Sequence, residues 1–301
     1  MGRPSTADEI PLATQFGGIC ASAARGQRDL RECAAAYDGM FPSSLFDSTF
    51  FSTLALANTF SAPWLEVDEL RITNRVALWN FGVDSMVDDV ATSPIEAETI
   101  ARQCLAVADG AEPLAGEPAS EFLADIRDEM ASAPAFPALQ ATWREELRRM
   151  LVAMLREREW RTACEADVDS PRPTLKEYLH AATDSVGFSF VFVTHWIATS
   201  RPEEIERAEA VVAAGRKVER LLRLLNDLAT VDRDRASGDL NLLMLGATRA
   251  DVTQSIDAIV DHRHVLLQPV WACHPRLATF LERQIGFNVG LYRLVDYRGA
   301  L

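Results

Sequence analysis

The chain has 301 residues, 48% of them hydrophobic, and a formal net charge of −14. That length buries a core as one large domain or two small ones, and a single domain over residues 1–301 is expected. The acid excess leaves no concentrated basic face, which excludes nucleic acid as a partner; an anionic ligand needs its repulsion offset, and divalent metal held by carboxylates does that.

In chain order, the first chemically unusual stretch is WNFGVDSMVDDV (79–90), which ends an apolar segment with Asp84 and Asp88 four residues apart and Asp89 beside them. Like charges at that spacing share a helix face and repel, so the pattern points to a bound cation. DGAEPLAGEP (109–118) reads as an interhelical loop. WREELRRMLVAMLREREW (143–160) places Trp143, Leu147, Met150, Leu151 and Met154 on one stripe, with its charges expected on a solvated face. In SPRPTLKEYL (170–179), Pro171 and Pro173 exclude helix upstream while Thr174 and Glu177 form a capping-box pattern. FSFVFV (188–193) is locally strand-like but continues a helical pattern, and is read as buried helix. LLNDLATVDRD (224–234) carries Asn226, Thr230 and Asp234 at steps of four, which drift by only about 40° each and form one polar stripe. The leucines around it (221, 222, 224, 225 and 228) make this helix mostly buried. Amide, hydroxyl and carboxylate oxygens are donors for a hard cation such as magnesium and not for zinc. RASGDLN (235–241) ends that helix, with Gly238 suited to the left-handed position.

No run of about 18 uninterrupted apolar residues is present to span a membrane, and the first thirty residues lack a basic-then-apolar leader, so a cytoplasmic protein is expected. Five dispersed cysteines (Cys20, Cys33, Cys104, Cys164, Cys273), never in CxxC spacing, argue against a disulfide frame or structural zinc and are expected as small core residues.

The two acidic motifs, their order and their separation resemble those of class I terpene cyclases, over most of the chain. Asn226, Thr230, Arg233 and Asp234, with Asp227 and Leu228, match the second metal motif, ND(L/I)x(S/T)xx(K/R)(D/E); Asp84 and Asp88 match the outer acids of DDxxD, with Ser85 in place of the second acid and Asp89 following. The resemblance implies an all-α, class I terpenoid synthase-like bundle around an apolar cavity. It implies three Mg2+ ions on Asp84, Asp88, Asp89, Asn226, Thr230 and Asp234, and ionisation of a prenyl diphosphate to a shielded carbocation. The first expectation for substrate is geranylgeranyl diphosphate, with farnesyl diphosphate or a labdane-type diphosphate as alternatives. From a different class, a non-catalytic helical metal-binding or interaction protein is the competing reading. Aromatics near the motifs in sequence (Phe50, Phe51, Phe60, Trp79, Phe81, Phe188, Phe192, Trp196, Tyr292) are candidates for the lining.

Two departures stand out. Where many bacterial members carry a diphosphate-sensing arginine, this chain reads YLHAATDSVGFSF, with His180 as an alternative donor and Gly187 as the implied helix break beside Ser185 and Val186. The C-terminal Arg-Tyr pair is reversed as Tyr297-Arg298, leaving Arg298 or Arg293 with Arg233 to reach diphosphate. The sequence leaves a homodimer open.

Overall fold

A computed structural model describes residues 6–167 and 170–297. Among these residues every regular element is helical, as the periodicity predicts. The helices are α1 (Thr6–Ala34), α2 (Ser48–Ser61), α3 (Val67–Ser85), α4 (Pro94–Ala108), α5 (Pro118–Ala131), α6 (Phe136–Ala166), α7 (Leu175–Ser185), α8 (Phe188–Thr199), α9 (Ala208–Ser237), α10 (Arg249–Asp261), α11 (Arg263–Trp271) and α12 (Pro275–Leu291). None of them is long and apolar enough to cross a membrane.

Local sequence sets the boundaries. Glu66 and Glu69 close a capping box at the start of α3, and Thr174 with Glu177 does the same for α7, each satisfying donors that a helix N-terminus leaves orphaned. Gly238 sits at φ +82° after α9, where a side chain would strain the left-handed backbone.

Position follows from which faces are apolar. FSFVFV begins α8, of which residues 188–197 are all buried, so this helix can exist only inside the bundle. It packs against α3, α6 and α9, while α12 lies between α2 and α9. On α6 the predicted stripe of Trp143, Leu147, Met150, Leu151 and Met154 is buried. The charges of that helix do not all face water. Glu146 is buried with Arg216 as its ion-pair partner, and Glu157, Arg158 and Arg161 turn inward, because a helix of 31 residues reaches past the apolar core to the polar mouth of a cavity. The expectation for the cysteines holds for Cys33 and Cys104; Cys164 and Cys273 are half-buried and Cys20 is exposed.

Candidate active site

A cavity of about 230 Å³ opens between α2, α3, α6, α9 and α12. Its apolar wall comes from Leu54 and Ala57 of α2, Ala77 and Phe81 of α3, Val186, Phe188 and Val191 at the α7–α8 junction, and Leu222 of α9. Asp84 and Asp88 enter it from the end of α3, and Asn226, Arg233 and Asp234 from α9. Asp84 and Asp88 are four residues apart and Asn226 and Asp234 eight, steps that keep each pair near one helix face.

Asp88 stands on a π-helical turn, Met86–Val90, closed by the amide of Ala91 donating to the carbonyl of Met86 at 2.9 Å. Such turns leave carbonyls poorly paired, and α6 supplies the donors. Arg158 donates to the carbonyls of Val87 (2.5 Å), Asp88 (3.1 Å) and Ala91 (2.5 Å). Arg161 donates to the Asp88 carbonyl at 2.5 Å and to Asp239 Oδ1 at 2.9 Å, tying the π-helical turn to the loop that follows α9. Asp89 is exposed and accepts from Ser85 at 3.1 Å; it does not line the cavity.

On the α9 side Thr230 lies one layer behind Asn226 and Asp234. Its hydroxyl donates to Asp234 Oδ2 (2.6 Å) and to the carbonyl of Asn226 (2.9 Å). Asn241 donates to Asp234 Oδ2 at 2.8 Å from the other flank, so the carboxylate is held from two directions. Asp227, part of the sequence motif, faces away from the cavity. It accepts from Tyr178 at 3.0 Å and from the amide of Leu242 at 3.0 Å, and pairs with Arg223, which locks α7, α9 and the following loop together.

Six acids line this cavity (Asp84, Asp88, Glu157, Asp234, Asp239, Asp296) against three arginines (Arg161, Arg223, Arg233). Burial, and next the charge of Asp84, push Asp88 up to about 8; burial raises Glu157 to about 7 and holds Asp234 above the ordinary carboxylate range. An all-oxygen donor set with excess negative charge fits a hard divalent cation. Arg223 stays charged although burial opposes it, because Asp227, Glu157 and Tyr178 surround it. Arg233 pairs with Asp296.

The α7–α8 break falls at Gly187, whose φ of +71° and close packing against Asn80 and Met150 leave no room for a side chain. The carbonyl exposed by the break at Val186 accepts from Asn80 Nδ2 at 2.8 Å. The Asn80 carboxamide oxygen has no hydrogen-bond partner among the described residues.

Of the predicted aromatics, Phe81, Phe188 and Tyr292 line the cavity together with Tyr297. The indoles do not. Trp79 is fully buried and donates to the carbonyl of Ala119 at 2.8 Å, and Trp196 packs edge-on against His274. Phe50, Phe51, Phe60 and Phe192 are likewise packed between helices. Nearness in sequence to a motif does not choose a helix face, and none of these side chains lines the cavity; Phe50 stands edge-on behind Phe81, and Phe192 stacks behind Phe188. His180 and Arg293 are exposed, and Arg298 lies outside the described residues. Sequence reasoning passed over Glu157, Arg158, Arg161, Arg223 and Asn241. Arg223 was within reach, since it sits three residues before Asn226 on the same helix; the others belong to segments that only folding brings to the motifs.

Residues 75–263 match the model of terpene synthase family 2, C-terminal metal binding, and the chain belongs to that family. It is a metal-binding terpene synthase, a lyase acting on prenyl diphosphates. It is 26% identical over 277 residues to ent-pimara-9(11),15-diene synthase of Streptomyces sp. (strain KO-3988), covering 90% of each chain. The fold is similar to that of linalool/nerolidol synthase from Streptomyces clavuligerus in complex with 2-fluorogeranyl diphosphate (TM-score 0.67, 16% identity, 90% of this chain and 94% of that one). It is also similar to 2-methylisoborneol synthase from Streptomyces coelicolor A3(2) (TM-score 0.64, 16% identity, 89% of each chain).

Proposed function

We propose that the chain acts as one class I cyclase domain that ionises geranylgeranyl diphosphate and closes it to a cyclic diterpene, releasing diphosphate. The observation that carries this reading is the pairing of Asp84 and Asp88 with Asn226 and Asp234 across the mouth of one apolar cavity. Likeness to a diterpene synthase over 90% of the chain supports the twenty-carbon substrate. The names of the structural neighbours speak for smaller products, so farnesyl diphosphate is the second reading; a labdane-type diphosphate is a third.

Asp84 and Asp88 on one side, and Asn226 and Asp234 on the other, would hold Mg2+, three ions in all, with Thr230 fixing the Asp234 carboxylate from behind and Asp89 outside the cavity. Bound there, magnesium supplies Lewis-acid stabilisation of the departing diphosphate charge. Among the described residues no three His, Cys, Asp or Glu side chains converge on one point, which suits magnesium held by one or two carboxylates together with substrate phosphate oxygens. Arg161, Arg223 and Arg233 face the same mouth and give diphosphate oxygens charged donors in place of the arginine missing from α7, with the Tyr297 hydroxyl beside them. Below them Phe81 and Phe188 exclude water and turn ring faces to the cation. The left-handed Gly187 ends α7 at the cavity, where Ser185 and Val186 form part of the wall.

Purified protein with magnesium, offered geranyl, farnesyl, geranylgeranyl and labdane-type diphosphates separately, tests the proposal by mass spectrometry of the extract. A cyclic twenty-carbon product, made with the highest kcat/KM of the set, is expected. A kcat/KM that favours farnesyl diphosphate moves the enzyme to fifteen-carbon substrates and leaves the site assignment intact.

A further inference from the structure

One wall of the cavity is not apolar. Asn58 of α2 and Gln284 and Asn288 of α12 are buried, at 3%, 3% and 0% exposure, and all three line the space where a hydrocarbon chain has to lie. They form a continuous strip. Tyr297 donates to Asn288 Oδ1 at 2.9 Å; Asn288 Nδ2 donates to Gln284 Oε1 at 3.1 Å; Gln284 Nε2 donates to Asn58 Oδ1 at 3.4 Å; Asn58 Nδ2 donates to Asn74 Oδ1 at 2.9 Å. The amide dipoles run head to tail and polarise one another.

This strip does not satisfy itself. A carboxamide offers two N–H donors and two acceptor lone pairs on its oxygen. Among the described residues Gln284 Nε2 makes a single bond, and that one is long, at 3.4 Å. Asn58 Nδ2 also makes one. Leucine or methionine would fill the same wall without exposing amides to a hydrocarbon, so their placement along a hydrocarbon-binding cavity calls for a polar occupant.

The Gln284–Asn58 end of the strip lies away from the acids, whereas Asn288 and Tyr297 lead back toward Asp296. The acids occupy the C-terminal ends of α3 and α9 and the segment after α12, with Glu157 and Asp239 beside them. Gln284 lies two turns, about 12 Å, along α12 from Tyr292 at the mouth. A cation that migrates to that depth meets amides and aliphatic side chains, with no carboxylate to accept its proton.

The geometry points to a water-holding strip: Asn58, Gln284 and Asn288 hold a water against the distal part of the isoprenoid chain, and the cation is quenched there to a terpene alcohol. A water lone pair forms the C–O bond to the electron-poor carbon, and the proton shed passes to a second water on the strip and through it to the diphosphate released at the mouth. No oxidant or reductant is needed. The inference rests on the proposed function, and it adds the chemical class of the product and the residues that set it.

The test is turnover in water enriched in oxygen-18 with geranylgeranyl and farnesyl diphosphates, neither of which carries a hydroxyl. The expected product is an alcohol with one oxygen-18 atom on a carbon of the distal or cyclised part. Exclusively hydrocarbon product overturns the inference while the cyclase reading stands. An unlabelled alcohol, which returns an oxygen of the diphosphate, overturns it too, as does label confined to the carbon that bore the leaving group or its allylic partner, since that is leakage at the mouth. Failure to release diphosphate from any prenyl diphosphate overturns the proposed function itself. In Gln284→Met, which keeps the length and removes the amide, the ratio of alcohol to hydrocarbon should fall tenfold or more; a purely structural glutamine would leave that ratio where it was. If this variant does not fold, the labelled-water experiment on the wild type decides alone.

Discussion

Replacing Gly187 by alanine perturbs the site at the point where α7 ends and α8 begins. Its φ of +71° places any L side chain in the left-handed region, which costs about 1–2 kcal/mol. A Cβ there would also collide with the Asn80 amide oxygen and with the sulfur of Met150, and overpacking of this kind costs about 1–3 kcal/mol more. The sum is a loss of about 2–5 kcal/mol. Gly238→Ala is the internal control. Its φ is +82°, but the nearest atom to the added carbon, Glu165 Oε1, is 3.8 Å away, so only the backbone cost applies. Urea unfolding of both variants measures the difference, and Gly187→Ala should be less stable than Gly238→Ala by about 1–3 kcal/mol. Displacing Asn80 also frees the Val186 carbonyl, so turnover should fall with stability in the first variant and not in the second. Equal unfolding midpoints for the two would refute the claim that Asn80 and Met150 close tightly over the helix break.

Asp84→Asn should lower kcat by about 10²-fold or more as a lost ligand, whereas Asp89→Asn, whose carboxylate is exposed and held by Ser85, should stay near wild type; steady-state kinetics of both variants check the order. Magnesium and inorganic diphosphate together should raise the melting temperature far more than either alone, since ligands at about 100 times their Kd add about 2.7 kcal/mol and these two complete each other's sites; equal shifts would separate the metal from the diphosphate. His195 is buried against Phe280 and bonded to Thr73 at 3.0 Å, and burial lowers its pKa to about 3. Because its folded value lies below the unfolded one, stability is complete above about pH 6.5 and is lost as pH falls toward 3, by about 1.4 kcal/mol per unit. Denaturant titrations at several pH values should therefore show a shallower acid slope for His195→Gln than for wild type.

Much of this enzyme was legible before folding, because the legible features are local. The capping box of Thr174 and Glu177, the left-handed Gly238, the buried FSFVFV helix and the fourfold spacing of Asn226, Thr230 and Asp234 each depend on residues within one or two turns, where backbone geometry alone decides who is neighbour to whom. The two oxygen-rich motifs could be read as facing one cavity because each lies on one side of an apolar helix. Periodicity states which residues share a face, and is silent on what that face will meet. Glu157, Arg158 and Arg161 have the spacing of a solvated helix surface, yet the docking of α6 against the π-helical turn makes them wall and clamp. Trp79 and Trp196 neighbour the site in sequence and point elsewhere. The amide strip is the extreme case. Asn58 and Gln284 are separated by 226 positions, and polar residues on two apolar helices carry no shared local signal; only the packing of α12 against α2 joins them into one surface.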